Sequence, residues 1–396
     1  MRLEYIRQFP KQSLDYLERK VNNGSPSGFT QKSTSDVTNP FKVSKFNIAV
    51  LSGADNIVSF GDIPDSIKRV SGVFAHPDWS SFCPPEVKFS TTDIEVVPTS
   101  SARTVKLVED NYYLKLSYPG VIGRLIRELD QRHIQSALQI SHIFHQILAS
   151  SLAPKQFSFL PEDGGVLYQK GNFQTGYVIR NFNPVGANID QIKFTVPAFS
   201  IFATDKECSG DAPLLIQILS KRNDAQSYLS QQIIQPLIDI YFTCVLTQGL
   251  SPEMHSQNVL FGFDDDNNVV SIILRDLESV DKDVDLRASL GKEPFVNDYK
   301  VIRSSDYNYK IKHSFMYDHK LGEYLVEELI TCAESHGYIS RESLVDEIRQ
   351  YVNDKYGDFI KTFFPEDGKW YKFENVEIDR TTSARPYKTM ENPILR

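Results

Sequence analysis

Cysteine is scarce in this sequence, and the few cysteines lack the spacings that metal sites and disulfide frameworks require. Cys83, Cys208, Cys244 and Cys332 stand far apart among 396 residues, and no Cys-x-x-Cys pair occurs. A zinc site or a disulfide-rich secreted scaffold is therefore not indicated. This cysteine usage fits a reducing compartment best, so we expect a cytoplasmic protein.

Long apolar runs and the common phosphate-binding loops are also missing. No stretch approaches the ~20 apolar residues that cross a bilayer, and charged residues interrupt the N-terminal segment, unlike a secretory signal. Neither a Walker A sequence nor Gly-x-Gly-x-x-Gly occurs. The formal net charge of −8, from 43 Lys+Arg against 51 Asp+Glu, disfavours non-specific nucleic-acid binding. We therefore expect neither a membrane nor a nucleic acid as a partner, and any anion site must be local.

The apolar pattern predicts strands first and helices later. With 41% hydrophobic and 24% charged residues, a chain of this length is expected to form two or three subdomains that share a cleft. Strands are predicted at 46–51 and 94–97, and an antiparallel sheet at 156–203. The other predictions are an exposed loop at 22–40, a long helix or two shorter ones at 121–152, helices at 213–221, 224–249, 317–335 and 341–363, and a hairpin of strands 259–263 and 269–274.

Hydroxyl groups and cations cluster around residues 98–104. The run Thr99-Ser100-Ser101-Ala102-Arg103-Thr104 is followed by Lys115 twelve residues past Arg103, and by Arg127 twelve residues further on. Hydroxyls can donate to phosphate oxygens, and guanidinium and ammonium groups can neutralise them. The cluster therefore predicts one half of a polyphosphate site.

A second polar motif lies far downstream, at the predicted hairpin. It consists of Glu253-Met254-His255-Ser256-Gln257-Asn258 before the first strand and Arg275-Asp276 after the second. The two ends can converge at one sheet edge, where carboxylate and amide oxygens of Glu253, Asn258 and Asp276 can share a Mg²⁺. Arg275 or His255 could contact phosphate directly. A polar loop beside a hairpin with a surface Arg-Asp pair is an equally open interpretation.

These motifs resemble those of one family, the siderophore synthetases that work without a non-ribosomal peptide synthetase (NIS synthetases, aerobactin-synthetase-like). The downstream motif resembles the family's Glu-x-His-x-Gln-Asn … Arg-Asp signature, and the upstream motif its Ser-Ser-x-Arg-Thr block with the later Lys and Arg. His76-Pro77 with Trp79 is similar to its His-Pro-Trp-Gln element, and Glu391-Asn392-Pro393-Ile394 to its terminal Asn-Pro-Leu. The four elements follow the family's order over roughly residues 70–396.

The resemblance implies an ATP- and Mg²⁺-dependent ligase of siderophore biosynthesis and iron acquisition. Such enzymes adenylate a small carboxylate, often citrate, and pass the acyl group to an amine or a hydroxyl. Carried over, the ATP contacts are Ser100, Ser101, Arg103, Thr104, Lys115, His255, Gln257 and Asp276, and the metal ligands are Glu253, Asn258 and Asp276. Arg103, Lys115, Arg127 and His255 are the catalytic assignments, with Arg127 and His255 also facing the carboxylate substrate.

We therefore predict an α+β fold in which a central antiparallel sheet forms an ATP cleft between an N-terminal α/β portion and a helical C-terminal portion. The predicted boundaries are 1–97, 98–211 and 212–396. The partners expected are a small carboxylate and an amine or hydroxyl co-substrate, and a homodimer is one option for the oligomeric state.

The sequence departs from the family pattern at several points. Family members are usually longer, so the N-terminal portion is expected to be shortened. Gly123-Arg124 replaces a usual Thr-Asn pair, which predicts an acyl substrate other than citrate, and Leu277-Glu278 stands where the pattern ends in a small Gly.

Two other functions stay open. The spacing of Glu253, Asn258 and Asp276 is also similar to that of kinase-type sites, although no Gly-rich loop accompanies it. A non-catalytic homologue that binds a ligand or a partner subunit is the third possibility.

Overall fold

Strands dominate the first half of the chain and helices the second. The computed structural model describes residues 1–22, 42–53, 56–122, 125–371 and 387–396. Its helices are α1 (Leu3–Gln8), α2 (Pro10–Lys20), α3 (Asp65–Lys68), α4 (Gln131–Leu148), α5 (Ala198–Phe202), α6 (Leu214–Leu219), α7 (Ala225–Tyr228), α8 (Gln235–Gln248), α9 (Val284–Ser289), α10 (Tyr309–Ser314), α11 (Glu327–Ser335) and α12 (Arg341–Phe363). Its strands are β1 (Phe46–Ser52), β2 (Ile57–Gly61), β3 (Val73–Ala75), β4 (Lys88–Pro98), β5 (Thr104–Leu107), β6 (Tyr112–Leu116), β7 (Val121–Ile122), β8 (Leu125–Ile126), β9 (Phe157–Phe159), β10 (Gly164–Lys170), β11 (Phe173–Asn181), β12 (Val185–Gly186), β13 (Phe194–Pro197), β14 (Leu250–Ser251), β15 (Val259–Phe263), β16 (Val269–Leu274), β17 (Asp281–Asp283), β18 (Val301–Ile302), β19 (Gly368–Tyr371) and β20 (Tyr387–Met390).

The largest sheet has eight strands in the order β2-β10-β11-β6-β5-β4-β1-β3, and each pairing that the structure describes in it is antiparallel. Strands from before and after residue 98 thus lie in one sheet. The predicted α+β class, with its large antiparallel sheet and helical C-terminal region, is confirmed. The three domain boundaries stay predictions.

The register of this sheet separates a polar row from an apolar core. Thr104 pairs with Lys115 and Lys115 with Val178, so Arg180, two residues along β11, points to the same face. Leu114 and Ile179 pair on the opposite face and belong to a buried cluster with Val105. Strand alternation therefore places Thr104, Lys115 and Arg180 on one face while apolar neighbours fill the other.

The predicted hairpin is confirmed with the same bounds. Strands β15 and β16 pair antiparallel in a five-stranded sheet of order β12-β9-β16-β15-β13. Strand β9 pairs parallel with β16, so the sequence between 156 and 203 is not antiparallel throughout, and α5 also interrupts it. The prediction missed this pairing because β9 and β16 are far apart in sequence, and strand alternation does not reveal strand direction.

The C-terminal half packs long helices around the main apolar core. A π-helical segment, Leu229–Ile234, joins α7 to α8, and another, Phe315–Val326, joins α10 to α11. The predicted helix at 341–363 is confirmed as α12, and Gly249 ends α8 in the left-handed region at φ 67°. None of the helices that the structure describes has the length and apolar character needed to span a membrane.

One helix prediction was too long. The segment 121–152 contains a short hairpin, β7 and β8, and helix α4 begins only at Gln131. Asp130 explains this start, since its side chain accepts hydrogen bonds from the backbone N–H groups of Arg132 and His133. The apolar spacing continues into the hairpin, so periodicity alone placed the start too early. The predicted loop at 22–40 and the pair Gly123-Arg124 lie outside the described residues, except for Asn22.

Candidate functional site

The upstream motif forms the tight connection between β4 and β5. The Thr99 hydroxyl donates to the Thr104 carbonyl at 2.9 Å, and the Ser101 and Thr104 hydroxyl oxygens lie 3.2 Å apart. Ala102 adopts φ 49° and is buried against Tyr118. A left-handed backbone conformation costs free energy at alanine, and it persists only where the surrounding structure fixes it. The contacts around Ala102 therefore hold this loop in one conformation.

The His-Pro element supports that loop. The His76 ring packs edge-on against Tyr118 with ring centroids 4.8 Å apart, and Trp79 donates from Nε1 to the Ser117 carbonyl at 2.9 Å. Both side chains are buried. His76 and Trp79 therefore act as packing residues beneath the motif.

Three buried cations of the upstream half contact carboxylates that are distant in sequence. Lys115 forms ion pairs with Asp276 and with Glu278, the latter at 2.5 Å. Arg180 donates from Nη2 to Asp276 at 2.9 Å and from Nε to Glu162 at 2.7 Å. Arg103 donates from Nη1 to the Arg127 carbonyl at 2.9 Å, and its Nη2 lies 3.8 Å from Glu278 Oε2. We call Arg103, Lys115, Arg180, Glu162, Asp276 and Glu278 the cation network.

The turn after β16 presents the two downstream carboxylates. Asp276 adopts φ 71°, and a 3₁₀ turn over Leu277–Ser279 follows it. Glu162 accepts a hydrogen bond from the Leu277 backbone N–H at 3.2 Å, and the Ser279 hydroxyl donates to the Asp276 carbonyl at 2.6 Å. These bonds direct both Asp276 and Glu278 toward Lys115.

Charge pairing outweighs burial at two of the carboxylates. Burial raises the pKa of Asp276, but Lys115, Arg180 and Arg103 lower it more, and the pKa lies well below its ordinary value. In the same way burial is outweighed at Glu278, whose pKa falls to about 2 beside Lys115 and Arg103. At Glu162 burial dominates, and its pKa is raised despite Arg180.

A second set of contacts joins the two motifs through helix α2. The Ser100 hydroxyl donates to Glu18 at 2.9 Å and accepts a hydrogen bond from Gln257 Nε2 at 3.4 Å. Arg275 pairs with Glu18 and donates from Nε to the Gln257 carbonyl at 2.8 Å. Ser100, Gln257 and Arg275 therefore lie together, and Arg275 is engaged with Glu18.

Glu253 lies beside two lysines. Its carboxylate is 2.7 Å from Lys320 Nζ, 3.8 Å from Lys300 Nζ and 3.9 Å from His255 Nε2. Burial raises the pKa of Glu253, but the two lysines and His255 together lower it by more. The pKa therefore lies below its ordinary value, and the carboxylate is ionised. We call Glu253, His255, Lys300 and Lys320 the Glu253 cluster.

His255 is neutral at physiological pH. Its Nδ1 accepts a hydrogen bond from the Gln257 backbone N–H at 3.1 Å, which leaves the ring proton on Nε2. Burial lowers the pKa of His255 to about 4. A neutral His255 can donate from Nε2 but supplies no fixed charge.

Asn258 connects the Glu253 cluster to the turn of the cation network. Its Nδ2 donates to the Glu253 carbonyl at 3.1 Å and to the Ser279 hydroxyl at 3.3 Å. Glu253, His255, Asn258 and Asp276 thus lie in one region at the end of the hairpin, next to the upstream motif.

Arg127 differs from the other predicted cations. Its backbone carbonyl holds Arg103, yet within the described ranges its guanidinium has no ion pair or hydrogen bond. Burial lowers the pKa of Arg103, and the positive charge of Arg127 lowers it further. Arg127 is thus available to an anion that enters the site.

The predicted metal ligands fit a magnesium ion that arrives with phosphates better than a protein-bound centre. Across the described part of the chain, no group of three or more His, Cys, Asp or Glu side chains is arranged to hold a metal. Mg²⁺ in nucleotide sites needs one or two carboxylates, with phosphates and waters as its other ligands. Cations engage both Asp276 and Glu253, but the Asp276 side chain is 26% exposed and the Glu253 side chain 16%. Asp276 therefore suits this role better.

Sequence reasoning missed Arg180, Glu162, Lys300 and Lys320 and gave Glu278 no role. One signal for Arg180 was available, since it is a charge at the end of the apolar run Tyr177-Val178-Ile179 in a predicted sheet. A buried strand carries a charge only when a partner lies opposite. No pattern along the chain identifies those partners.

Two family models match the chain, and together they take in both motif regions. Residues 87–193 match the IucA / IucC family. Over that segment the chain is similar to the IucA / IucC family. Residues 227–369 match a second model, described as ferric iron reductase FhuF-like transporter. The resemblance drawn from the motifs is confirmed.

Solved structures show the same fold. The petrobactin biosynthesis protein AsbB from Bacillus anthracis is 16% identical with a TM-score of 0.70, over 91% of this chain and 70% of that one. ATP-bound aerobactin synthetase IucA from Klebsiella pneumoniae is 14% identical with a TM-score of 0.67, over 90% and 71%. Aerobactin synthetase IucC from the same species is 12% identical with a TM-score of 0.65, over 83% and 67%. No curated protein sequence matches the chain.

Proposed function

We propose that the protein is an ATP- and Mg²⁺-dependent ligase of siderophore biosynthesis. In this reaction a carboxylate oxygen of a small acid attacks the α-phosphorus of ATP, and pyrophosphate leaves. An amine or hydroxyl then attacks the acyl carbon of the adenylate, and AMP leaves. The observation that carries the proposal is the ion pair of Lys115 with Asp276, which joins the two motifs across 161 residues.

The chain's own residues suit the first step in charge and geometry. Negative charge builds on the phosphates as the bond to pyrophosphate breaks, and buried cations stabilise it strongly because little water screens them. Arg103, Lys115 and the unpaired Arg127 can supply that charge, and the Ser101 and Thr104 hydroxyls can donate to phosphate oxygens. Mg²⁺ bound to Asp276 would neutralise part of the phosphate charge.

The acid-binding side of the site is assigned to Arg127 and His255. A guanidinium can pair with a carboxylate, while a neutral imidazole can donate one hydrogen bond from Nε2. IucA is named an aerobactin synthetase and AsbB a petrobactin biosynthesis protein. By analogy we assign this chain a small carboxylate substrate and an amine or hydroxyl acceptor.

A pyrophosphate-release assay tests this function. Purified protein is incubated with ATP, Mg²⁺ and citrate, 2-oxoglutarate, succinate or an amino acid, with hydroxylamine as a general acceptor. We expect pyrophosphate and AMP to form in equal amounts with at least one acid, and Lys115→Met to abolish the signal. ADP in place of AMP would instead establish a kinase-type phosphotransferase. Failure to bind ATP in calorimetry would indicate a non-catalytic binding protein.

A further inference from the structure

Glu278 lies between the cations to which the proposed function assigns the phosphates. Its Oε2 is 2.5 Å from Lys115 Nζ and 3.8 Å from Arg103 Nη2, and its Oε1 accepts a hydrogen bond from Tyr299 at 2.8 Å. The residue is only 6% exposed. One side-chain carboxylate therefore contacts the two cations that a phosphate group would need.

The cation network is electrically balanced by its own carboxylates. Arg103, Lys115 and Arg180 carry three positive charges, and Glu162, Asp276 and Glu278 can carry three negative ones. Arg127 lies beside the network without an ion pair in the described ranges, but the cations inside the network are already paired when a polyphosphate arrives. Buried ion pairs are costly to separate, so direct contact of the phosphates with Arg103 or Lys115 must include replacing at least one of these carboxylates.

The three carboxylates differ in how the protein holds them. Glu162 accepts hydrogen bonds from Arg180 and from the Leu277 backbone, so it fixes the turn itself. Asp276 is the carboxylate assigned to Mg²⁺. The contacts that the structure describes for the Glu278 carboxylate are all to side chains, those of Lys115, Arg103 and Tyr299. Glu278 can therefore withdraw by rotating its side chain, without breaking the backbone contacts of the turn.

We propose that Glu278 stands in for a phosphate group in the nucleotide-free site and lowers the affinity for ATP by competing for Lys115 and Arg103. The inference rests on the proposed function, since it assigns these two cations to ATP. Glu278 holds the cations in place before ATP binds and leaves them when the phosphates arrive. Tyr299 keeps the carboxylate in its competing position.

Glu278 stays ionised at every pH at which the protein would be assayed. Its pKa is about 2. The groups that face it are Lys115, Arg103, Asp276, Tyr299, His133 and Lys300. The competition is therefore expected to change little between pH 7 and pH 9.

Calorimetry with wild type and Glu278→Gln tests the proposal. Glutamine keeps the size and the bond from Tyr299 but removes the charge, so we expect ~10-fold tighter binding of Mg-ATP and of inorganic tripolyphosphate. Tyr299→Phe keeps the carboxylate but releases it, and should tighten binding ~2-fold to 3-fold. The control Glu95→Gln removes an exposed carboxylate paired with Lys45 and should leave the Kd unchanged.

The outcomes separate this inference from the proposed function. A folded Glu278→Gln protein that binds ATP as wild type does, or more weakly, overturns the competition while the ligase assignment stands. ATP binding by both proteins, with a lower Kd for Glu278→Gln than for wild type, supports the competition. If neither protein binds ATP, the proposed function fails, and this inference fails with it. Thermal unfolding of each variant shows whether it is folded, and Tyr299→Phe provides an independent result should Glu278→Gln be unstable.

Discussion

The cation network and the Glu253 cluster use the same kinds of side chain in different proportions. The network sets three cations against three carboxylates, whereas in the cluster Lys300 and Lys320 both contact Glu253. The network joins the large sheet to the turn after β16, while the cluster lies wholly within the C-terminal half. The network therefore forms only when the two motifs meet. The cluster, by contrast, holds an excess of positive charge in direct contact.

The largest effect on activity is expected when the Arg103 guanidinium of the network is replaced by an ammonium group. Arg103 uses two different nitrogens, one for the Arg127 carbonyl and one toward Glu278, and a single ammonium cannot span both. Arg103→Lys should therefore lower kcat/KM for pyrophosphate release by roughly 100-fold while the protein stays folded. Arg7→Lys, an exposed change at the surface, is the control. Activity near the wild-type value would remove Arg103 from the site.

The pH dependence of stability distinguishes the cluster from the network. His255 has a folded pKa of about 4 and an ordinary value of 6.5, so between these pH values the unfolded chain binds a proton that the folded chain does not. The neutral His255 thus contributes up to about 3 kcal/mol to the free energy of unfolding. This contribution is present above pH 6.5 and is lost as the pH falls toward 4. His255→Gln should show a smaller loss over that window in urea unfolding. His76 follows the same trend and Asp281 the opposite one, so the difference between the two proteins is the quantity to measure.

Asp276→Asn tests how far the stability of the cation network depends on Asp276, the carboxylate that Lys115 and Arg180 share. Lys115 keeps Glu278 and Arg180 keeps Glu162, so the free energy of unfolding should fall by about 2 kcal/mol rather than by the full cost of an unpaired buried charge. The Mg²⁺ concentration needed for half-maximal activity should also rise sharply. Unchanged stability would mean that Asp276 serves the ligand alone.

The smallest effect is expected from Glu253→Gln, which leaves two lysines next to a neutral amide. Both lysines are partly exposed, so stability should fall by about 1 kcal/mol. Combined with Asp276→Asn, the two losses should add within about 0.5 kcal/mol if the network and the cluster are independent. A larger deviation would show that Asn258, which connects them, transmits the change.

The sequence allowed prediction of features that depend on local patterns or on the family motifs. The hairpin strands and helix α12 were placed with the observed bounds, and the resemblance to the family was drawn from residues such as Arg103 and His255. The roles of the predicted site residues stay predictions.

What could not be predicted was the choice of partners. That Lys115 pairs with Glu278, or Arg180 with Glu162, depends on how two sheets and a turn pack, and no periodicity records it. The start of α4 was missed for the opposite reason, because a local cap at Asp130 overrode a periodic pattern that continued past it.

The alternation of side chains along the large sheet sets a rule for insertions and deletions in this chain. Thr104, Lys115 and Arg180 share a face only while β5, β6 and β11 keep their register. One extra residue inside β6 would exchange the faces of the sheet on which its side chains lie, and would direct the Lys115 ammonium group into the apolar core. An extra residue in the turn at 108–111 would leave every side chain of β5 and β6 on its present face. Length changes near this site are therefore tolerable in the turns, and within the strands only in pairs.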